Sequence, residues 1–412
     1  MLLGKGATGL FPVAMLALSA RADGVRGLGL FAVAFSLAQA VAELADFTSQ
    51  RHVARVRLAA GAGDVSVRLA AFNTLRAATL TAGLILGSVG LAASTASGDR
   101  GPALAILWSA CWLFANYTGY ASAMANGSFG LAGIGPWLGL IAGAASTGAA
   151  VWLGRPGSGI WVVVLGVFIG KGLETLWVWT RVGLPAFTFD RAAVRYEWRA
   201  TRDLMLVGLV SAANARILVP LLAVVIGVVG AGFISVGLNL EAAILLVGVA
   251  VSVPAFRSAV DNRLLHSPRE AFLAVRGDWA TALVCSLVLT LAVLLASAPL
   301  TRLIVGQDGE ALLPVRLVVA AAPLDVLCIF AGVFYHAAHE DRVYLRLSVL
   351  TTTGALVLVA AGGWLAGTLG AAAAFAASRA VSVVVVYSPL VGPGALRQSA
   401  GGGLVRSWGR RD

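Results

Sequence analysis

The feature that most constrains this chain is a series of apolar stretches, each about 20 residues long, that recurs to the end of the sequence. A helix of that length crosses the hydrocarbon core of a bilayer. Of the 412 residues, 59% are apolar and only 12% are charged, and the mean hydropathy is +0.89. These values exclude a soluble globular protein, a disordered chain and a secreted disulfide scaffold. The pattern therefore predicts an all-α polytopic membrane protein.

The apolar stretches divide the chain into twelve predicted spans. They are 3–20, 27–48, 71–93, 102–125, 127–153, 158–180, 204–229, 231–256, 279–299, 311–337, 345–366 and 368–390. A signal peptide is the alternative for the first span, because Lys5 heads it and Leu18-Ser19-Ala20 resembles a cleavage site. Its removal would leave an odd number of spans and break the repeat described below, which favours a retained span.

The distribution of positive charge predicts the orientation. Twelve spans place both termini on one side of the membrane. With a cytoplasmic N-terminus, 20 of the 30 Lys and Arg residues fall in cytoplasmic segments and 5 in outside segments. Cytoplasmic loops are enriched in Lys and Arg, so we expect a multi-pass protein of the cell (inner or plasma) membrane with both termini cytoplasmic. The net charge of +11 then reflects contact with membrane lipids, and no nucleic-acid partner is expected.

Two segments of the sequence repeat with a constant offset of 203. Residues 27–40 read GLGLFAVAFSLAQA and residues 230–243 read GAGFISVGLNLEAA, so that Gly29 aligns with Gly232. Each segment opens the second span of a six-span half, and both halves start inside. An even number of spans per half predicts two parallel repeats around a central cavity, as in transporters. Chance similarity between two Gly/Ala-rich helices is the alternative.

The repeat implies a domain organisation. We expect an N-terminal six-helix lobe over 1–180, a cytoplasmic amphipathic linker over 181–203, and a C-terminal six-helix lobe with a short basic tail over 204–412.

The segments that repeat also resemble a known family. GLGLFAVAFSLAQAVAELADFTSQRHVAR, with its glycine turn, small-residue helix and cytoplasmic arginine, resembles the start of the polysaccharide and oligosaccharide-lipid flippases. These belong to the multidrug/oligosaccharidyl-lipid/polysaccharide exporter superfamily. NARILVPLLAVVIGVVGAGFISVGLNLEAAILLVGVAVSVPAF resembles the seventh and eighth spans of the same family. The family often has an aspartate near 214–216, whereas this chain has Asn214 and Arg216, so no cation site is carried over there.

The resemblance implies a function in cell-surface polysaccharide export. An alternating-access flippase would move a polyprenyl-diphosphate-linked oligosaccharide from the inner to the outer leaflet, with polysaccharide biosynthesis proteins as possible partners. The alternatives are a cation-coupled multidrug exporter of the same superfamily and, in another class, a membrane-embedded polysaccharide polymerase or ligase. An enzyme of that class would need a long outside loop, and the outside segments of this sequence are all short. We therefore do not expect an enzyme.

Charged residues inside the spans are candidates for the site, because a charge at mid-bilayer costs at least a few kcal/mol. A guanidinium offers forked, permanent donors that match phosphate oxygens. We expect the substrate-binding residues to be Arg76, Arg216, Glu241 and Arg379. Arg76 lies on a polar face with Asn73 and Thr74, a pattern typical of a helix that lines water. A structural bridge between Arg216 and Glu241 is the alternative for that pair.

Three further ionisable residues have pairing or coupling roles. Lys171 and Glu174 are three residues apart, so they share a helix face and can pair. Asp325 follows Pro323, where a helix break is expected, and could bind a coupling cation or pair with Arg379. Whether the coupling ion is sodium or a proton stays open.

The linker carries an amphipathic pattern. Arg191, Arg195, Arg199 and Arg202 form a stripe on one helical face, and Phe189, Ala193, Tyr196 and Ala200 form the opposite face. The pattern indicates an interfacial helix whose arginines contact lipid headgroups. It could anchor the linker or present a lipid-linked substrate to the inward side.

The sequence contains no motif for metal binding or for nucleotide hydrolysis. The three cysteines lie in apolar stretches without metal-ligand spacing, and no Walker sequence is present. We expect no catalytic residue, no metal site and no cofactor apart from a coupling ion.

The orientation can be tested with reporter fusions. A fusion at Gly98 or Gly157 should report an outside position, and a fusion at Gly61 an inside position, because the positive-inside distribution sets these sides. Activity of alkaline phosphatase and fluorescence of a green fluorescent protein at each site provide the measurement. An inside signal from Gly157 would contradict the twelve-span topology.

Overall fold

The computed structural model describes residues 2–46, 62–111, 129–153, 159–212, 216–261, 268–306, 309–337 and 340–391. The helices in these ranges are α1 (Leu2–Asp46), α2 (Ala62–Ser94), α3 (Arg100–Cys111), α4 (Phe129–Trp152), α5 (Trp161–Val182), α6 (Arg191–Ala212), α7 (Leu218–Asp261), α8 (Pro268–Ala274), α9 (Arg276–Leu295), α10 (Ser297–Val305), α11 (Gly309–Ala320), α12 (Ala322–Ala337) and α13 (Asp341–Val391). Every regular element in the described ranges is helical, which confirms the predicted all-α class.

Most of these helices are long and apolar enough to cross a membrane. Eight helical segments of the described ranges meet that condition, and the chain is a multi-pass membrane protein. Three of the segments, Gly9–Ala45, Leu218–Ser252 and Arg342–Pro389, have 37, 35 and 48 residues. A single crossing needs only about 20 residues. The count of twelve spans stays a prediction, because it depends on how these long segments divide.

Each of the three long helices is interrupted at a glycine with positive φ. Gly24 in α1 has φ +63°, Gly227 in α7 has φ +81° and Gly367 in α13 has φ +60°. Glycine adopts this backbone region without the steric penalty of a side chain. The interruptions fall at or within a few residues of the predicted junctions between spans. Gly24 and Gly227 are also 203 positions apart, which is the offset of the sequence repeat.

The backbones of α1 and α7 touch where the repeated segments meet. A Cβ atom built on Gly232 would lie 2.8 Å from the Cα atom of Gly29, and one built on Gly29 would overlap the carbonyl of Val228. Small residues allow this approach of two membrane helices. Contact between a residue and its repeat equivalent is what a twofold axis near that point would produce. Superposition of the two halves itself stays a prediction.

The helix break expected near Pro323 is present. α11 ends at Ala320 and α12 begins at Ala322, with Ala321 between them. Pro323 has no N–H to donate, so the helical bond to the preceding turn is missing there. The amides of Leu324 and Asp325 donate instead to the carbonyl of Ala321, at 2.9 and 3.2 Å. The break places Asp325 in the first turn of α12.

A methyl group at Gly29 should disturb the α1–α7 contact. Gly29→Ala should lower the free energy of unfolding by about 1–3 kcal/mol, because the backbone of Val228 must move. Gly172→Ala is the control, since a Cβ there meets nothing within 4 Å. Thermal unfolding of the two variants in detergent provides the measurement, and equal midpoints would contradict the close contact.

Candidate functional site

Arg216 pairs with an acidic residue from the first half of the chain. Its Nε donates to Oε1 of Glu43 at 3.0 Å. Glu43 lies near the end of α1, and Arg216 lies just before the start of α7. The pair therefore joins the two predicted halves. The predicted bridge between Arg216 and Glu241 is wrong, because similar depth in adjacent spans does not determine which way each side chain points.

The described residues account for one of the donors of the Arg216 guanidinium. A guanidinium has five N–H groups, and among the described residues Glu43 is the only polar partner of Arg216. The side chains of Arg216 and Glu43 are 31% and 19% exposed. Among the described residues, the other N–H groups of Arg216 have no assigned acceptor.

Glu241, Asp325 and Arg379 form a second cluster within the second half. The Nε atom of Arg379 lies 3.1 Å from Oδ2 of Asp325. Pairing with Arg379 was one of the two roles that the sequence suggested for Asp325. The carboxyl group of Glu241, from α7, lies beside that of Asp325 and near Arg379. Glu241 is 3% exposed, and its Oε1 atom has no hydrogen-bond partner in the described part of the chain. Two acids and one base share this site.

Arg76 is buried within the helix bundle. It is 1% exposed, and its guanidinium carbon lies 5.8 Å from the centre of the Phe72 ring. A large anion cannot reach a side chain buried to this extent without a change in the packing around it.

The polar face beside Arg76 binds the linker. Nδ2 of Asn73 donates to the carbonyl of Ala186 at 3.1 Å, and Oγ1 of Thr74 donates to the carbonyl of Thr188 at 2.8 Å. The interpretation of this face as a water-lined surface is wrong for these two residues. Their side chains donate hydrogen bonds to backbone carbonyl groups of the extended segment between α5 and α6.

Lys171 and Glu174 form a closed pair in α5. Nζ of Lys171 donates to Oε2 of Glu174 at 2.8 Å, the contact that the three-residue spacing predicts. Both side chains are at most 4% exposed, and the ammonium group lies 4.2 Å from the centre of the Phe11 ring. This pair offers no group to a ligand in the described conformation.

The amphipathic pattern of the linker lies in α6, which runs on to Ala212 beyond the predicted end of the linker. The basic stripe faces outward, with Arg191, Arg195, Arg199 and Arg202 all exposed. A third face of the helix, which the sequence did not reveal, packs against α2. There Nε of Arg68 donates to Oε1 of Glu197 at 2.6 Å, and Glu197 and Thr201 are fully buried. Glu197 and Thr201 are four residues apart, so the sequence already places them on one helix face.

Three of the predicted site residues lie together in the described part of the structure. It brings Glu241, Asp325 and Arg379 together, whereas Arg216 contacts Glu43 and Arg76 contacts Phe72. The shared cavity predicted for the three arginines stays a prediction.

Comparison with solved structures places the fold. No family model matches the sequence, and no curated protein matches it significantly. The lipid II flippase MurJ in an inward closed conformation matches with a TM-score of 0.72 and 13% identity, over 94% of this chain and 87% of MurJ. An inward-facing multidrug resistance MATE family transporter of the MOP superfamily matches with a TM-score of 0.68 and 13% identity, over 97% and 94% of the two chains.

A third structure extends the comparison within the same superfamily. A MOP superfamily transporter from Pyrococcus furiosus matches with a TM-score of 0.57 and 13% identity, over 97% of this chain and 94% of that one. At this identity the similarity shows the fold alone. The chain shares the helical fold of MurJ and of these two transporters.

The Lys171–Glu174 pair should behave as a structural pair. Lys171→Met should destabilise the protein by about 3–5 kcal/mol, because it leaves a buried carboxylate without its counter-ion. The double variant Lys171→Met, Glu174→Leu should recover most of that loss, since a buried pair is often replaceable by apolar residues of similar size. Thermal unfolding in detergent measures both. A double variant no more stable than the single one would contradict this role.

Proposed function

We propose that this protein is an alternating-access flippase that moves a polyprenyl-diphosphate-linked oligosaccharide from the inner to the outer leaflet of the cell membrane. The observation that carries the proposal is Arg216. This cation lies among apolar helices between the predicted halves, is 31% exposed, and keeps donors free for an anion among the described residues. The fold, shared with a lipid II flippase, is consistent with this activity.

A diphosphate is the chemical group that fits Arg216. It carries two or more negative charges and cannot cross hydrocarbon unaided, whereas a guanidinium forms paired, charge-assisted hydrogen bonds with phosphate oxygens. In the absence of substrate, Glu43 neutralises Arg216. An arriving diphosphate would compete with Glu43 for the guanidinium, so that substrate binding would loosen a contact between the two halves.

The movement follows from the predicted two-lobe organisation. The lobes 1–180 and 204–412 would rock about the α1–α7 contact while the sugars occupy the space between them and the prenyl tail stays in lipid. At the predicted outer end, Gly29 touches Gly232, and the Arg21 guanidinium donates to the carbonyl of Leu303 at 3.1 Å. Transport to the outer leaflet requires these contacts to separate.

The other predicted site residues take subsidiary roles in this proposal. Arg76 and Arg379 are 1% and 7% exposed, so they would contact substrate only after the helices around them rearrange. The exposed arginines of α6 would contact headgroups on the cytoplasmic side, where both termini are proposed to lie. Polysaccharide biosynthesis proteins would supply the substrate.

A multidrug exporter is the second candidate. The cluster of Glu241, Asp325 and Arg379 contains two acids and one base, and an organic cation could bind such a site. Two of the similar solved structures are of multidrug resistance MATE family transporters. This function would use the second half of the chain and would not need Arg216.

Reconstitution separates the two candidates. Purified protein in liposomes should translocate a polyprenyl-diphosphate oligosaccharide, measured by lectin binding at the far leaflet. Arg216→Gln should reduce the rate about tenfold or more, because a charged hydrogen bond is worth about 1.5–3 kcal/mol. Arg216→Lys should retain part of the activity, since lysine keeps the charge without the forked geometry.

The control is another arginine inside a predicted span. Arg316 is exposed, and its Nε donates to Oγ of Ser297 at 2.8 Å within the second half. Arg316→Gln should leave the rate within about twofold of the parent, as expected for a surface substitution. Equal rates for Arg216→Gln and the parent, or efflux of a cationic dye in place of oligosaccharide translocation, would overturn the proposal.

A further inference from the structure

A groove separates α2 from the start of α6 on the predicted cytoplasmic side. Its volume is about 340 Å³, at the lower end of the range of about 300–1,000 Å³ that is typical of small-molecule sites. The residues that line the groove are Val67, Arg68, Asp190, Ala192, Ala193 and Tyr196. Neither Arg216 nor Glu43 is among them.

Hydrogen bonds hold the two walls of the groove in place. Nε of Arg68 donates to the fully buried Glu197, and the Arg68 guanidinium carbon lies 5.2 Å from the centre of the Tyr196 ring. Before α6, Oγ1 of Thr74 donates to the carbonyl of Thr188, and the amide of Thr188 donates to the same Oγ1 at 3.1 Å. The groove is therefore formed before a ligand binds, which lowers the cost of ordering it.

Asp190 gives the groove a negative charge. Its Oδ1 atom accepts a hydrogen bond from the amide of Ala192 at 2.9 Å, so that Asp190 caps the first turn of α6. The side chain is exposed, and no basic side chain among the described residues pairs with it. Its second carboxylate oxygen can accept a charge-assisted hydrogen bond from a primary ammonium group.

Positive charge lies directly beside the groove. Arg195 follows Ala192 by three residues, and Arg199 follows Tyr196 by three residues, so each arginine neighbours a lining residue on the surface of α6. Both arginines are exposed. A guanidinium binds phosphate oxygens through paired N–H donors. The groove and its flank therefore offer one acid and two bases at neighbouring positions.

The segment just before the groove exposes apolar side chains. Leu184, Phe187 and Phe189 are 74%, 49% and 88% exposed. In a membrane protein, exposed apolar groups next to a basic stripe are typical of contact with the boundary between headgroups and acyl chains. A ligand that matches all these features carries an ammonium group, a phosphate and acyl chains.

We propose that this groove binds a zwitterionic phospholipid with a primary amine, that is, a phosphoethanolamine lipid. Its ammonium group donates to Asp190, its phosphate lies against Arg195 and Arg199, and its acyl chains extend along the exposed phenylalanines. A phosphocholine lipid has no N–H group to donate to Asp190, and a phosphoglycerol lipid has no cation. The site is separate from the path of the transported substrate, and so the inference goes beyond the proposed function.

Native mass spectrometry of the full chain in detergent tests the site, with phosphoethanolamine, phosphocholine and phosphoglycerol lipids of identical acyl chains. The parent should bind the phosphoethanolamine lipid about tenfold more tightly than the phosphocholine lipid, the size of one charge-assisted hydrogen bond. Asp190→Asn should remove that difference without weakening binding of the phosphoglycerol lipid. Asparagine also caps helices well, so the variant should fold.

Two further variants locate the effect. Asp278→Asn is the matched control, because Asp278 is also an exposed acid in the first turn of a helix, α9, and lies outside the groove. It should leave each lipid affinity within about twofold of the parent. Ala192→Trp fills the groove from an exposed position and should weaken binding of the phosphoethanolamine lipid at least as much as Asp190→Asn.

Several outcomes would overturn the proposal. These are equal affinities of the parent for phosphoethanolamine and phosphocholine lipids, an unchanged difference in Asp190→Asn or Ala192→Trp, an equal fall for all three lipids in Asp190→Asn, and an equal effect of Asp278→Asn. Lipid binding is measured without transport. A lipid preference lost in Asp190→Asn, in a protein that does not translocate oligosaccharide, would support the site and reject the flippase. Translocation without any lipid preference would do the reverse.

Discussion

The cost of a charge in hydrocarbon is the constraint on which the rest of this structure depends. Three ionisable pairs satisfy it in different ways. Lys171 and Glu174 pair within one helix, Arg216 and Glu43 pair between the first and second halves, and Arg379 and Asp325 pair within the second half. One of these ion pairs therefore lies within a helix, one joins the two predicted halves, and one links helices of the second half.

The pairs differ in what they leave available for chemistry. The pair in α5 is closed, with both side chains at most 4% exposed. The pair between the halves is partly exposed, with Arg216 at 31% and Glu43 at 19%, and it is the pair that the proposed function assigns to an anionic ligand. The pair in the second half lies in a buried region that also holds Glu241, which is 3% exposed.

Glycine determines how closely the helices that carry these groups approach. Gly29 and Gly232 allow the backbones of α1 and α7 to touch, and α1 also carries Glu43 while Arg216 immediately precedes α7. The positive φ angles at Gly24 and Gly227 interrupt both helices without a long loop. Close packing at one end and an ion pair further along therefore act on the same two helices. A movement that separates the glycines must also affect the position of Arg216 relative to Glu43.

Local patterns in the sequence predicted much of this arrangement. Apolar stretches predicted the helices, and Pro323 predicted the break before Asp325. The boundaries predicted between spans fall within a few residues of the interruptions at Gly24 and Gly227. The Lys171–Glu174 pair follows from spacing within one helix. These features depend on residues a few positions apart, and for that reason the sequence alone is sufficient.

Contacts between distant segments were not predictable in the same way. Glu43 and Arg216 are far apart in sequence, and which face of each helix turns toward the other depends on the packing of the whole bundle. The same holds for Arg68 with Glu197, and for the binding of the linker backbone by Asn73 and Thr74. Similar depth in adjacent spans suggested Glu241 as the partner of Arg216, but depth alone does not define a contact.

The central claim is that Arg216 holds the diphosphate of a lipid-linked oligosaccharide between the two halves. The most direct measurement is a structure of the full chain in lipid with a polyprenyl-diphosphate oligosaccharide bound. The account predicts phosphate oxygens within hydrogen-bonding distance of the Arg216 guanidinium, with Glu43 displaced from it. A diphosphate bound elsewhere, with the Arg216–Glu43 pair intact, would contradict the account.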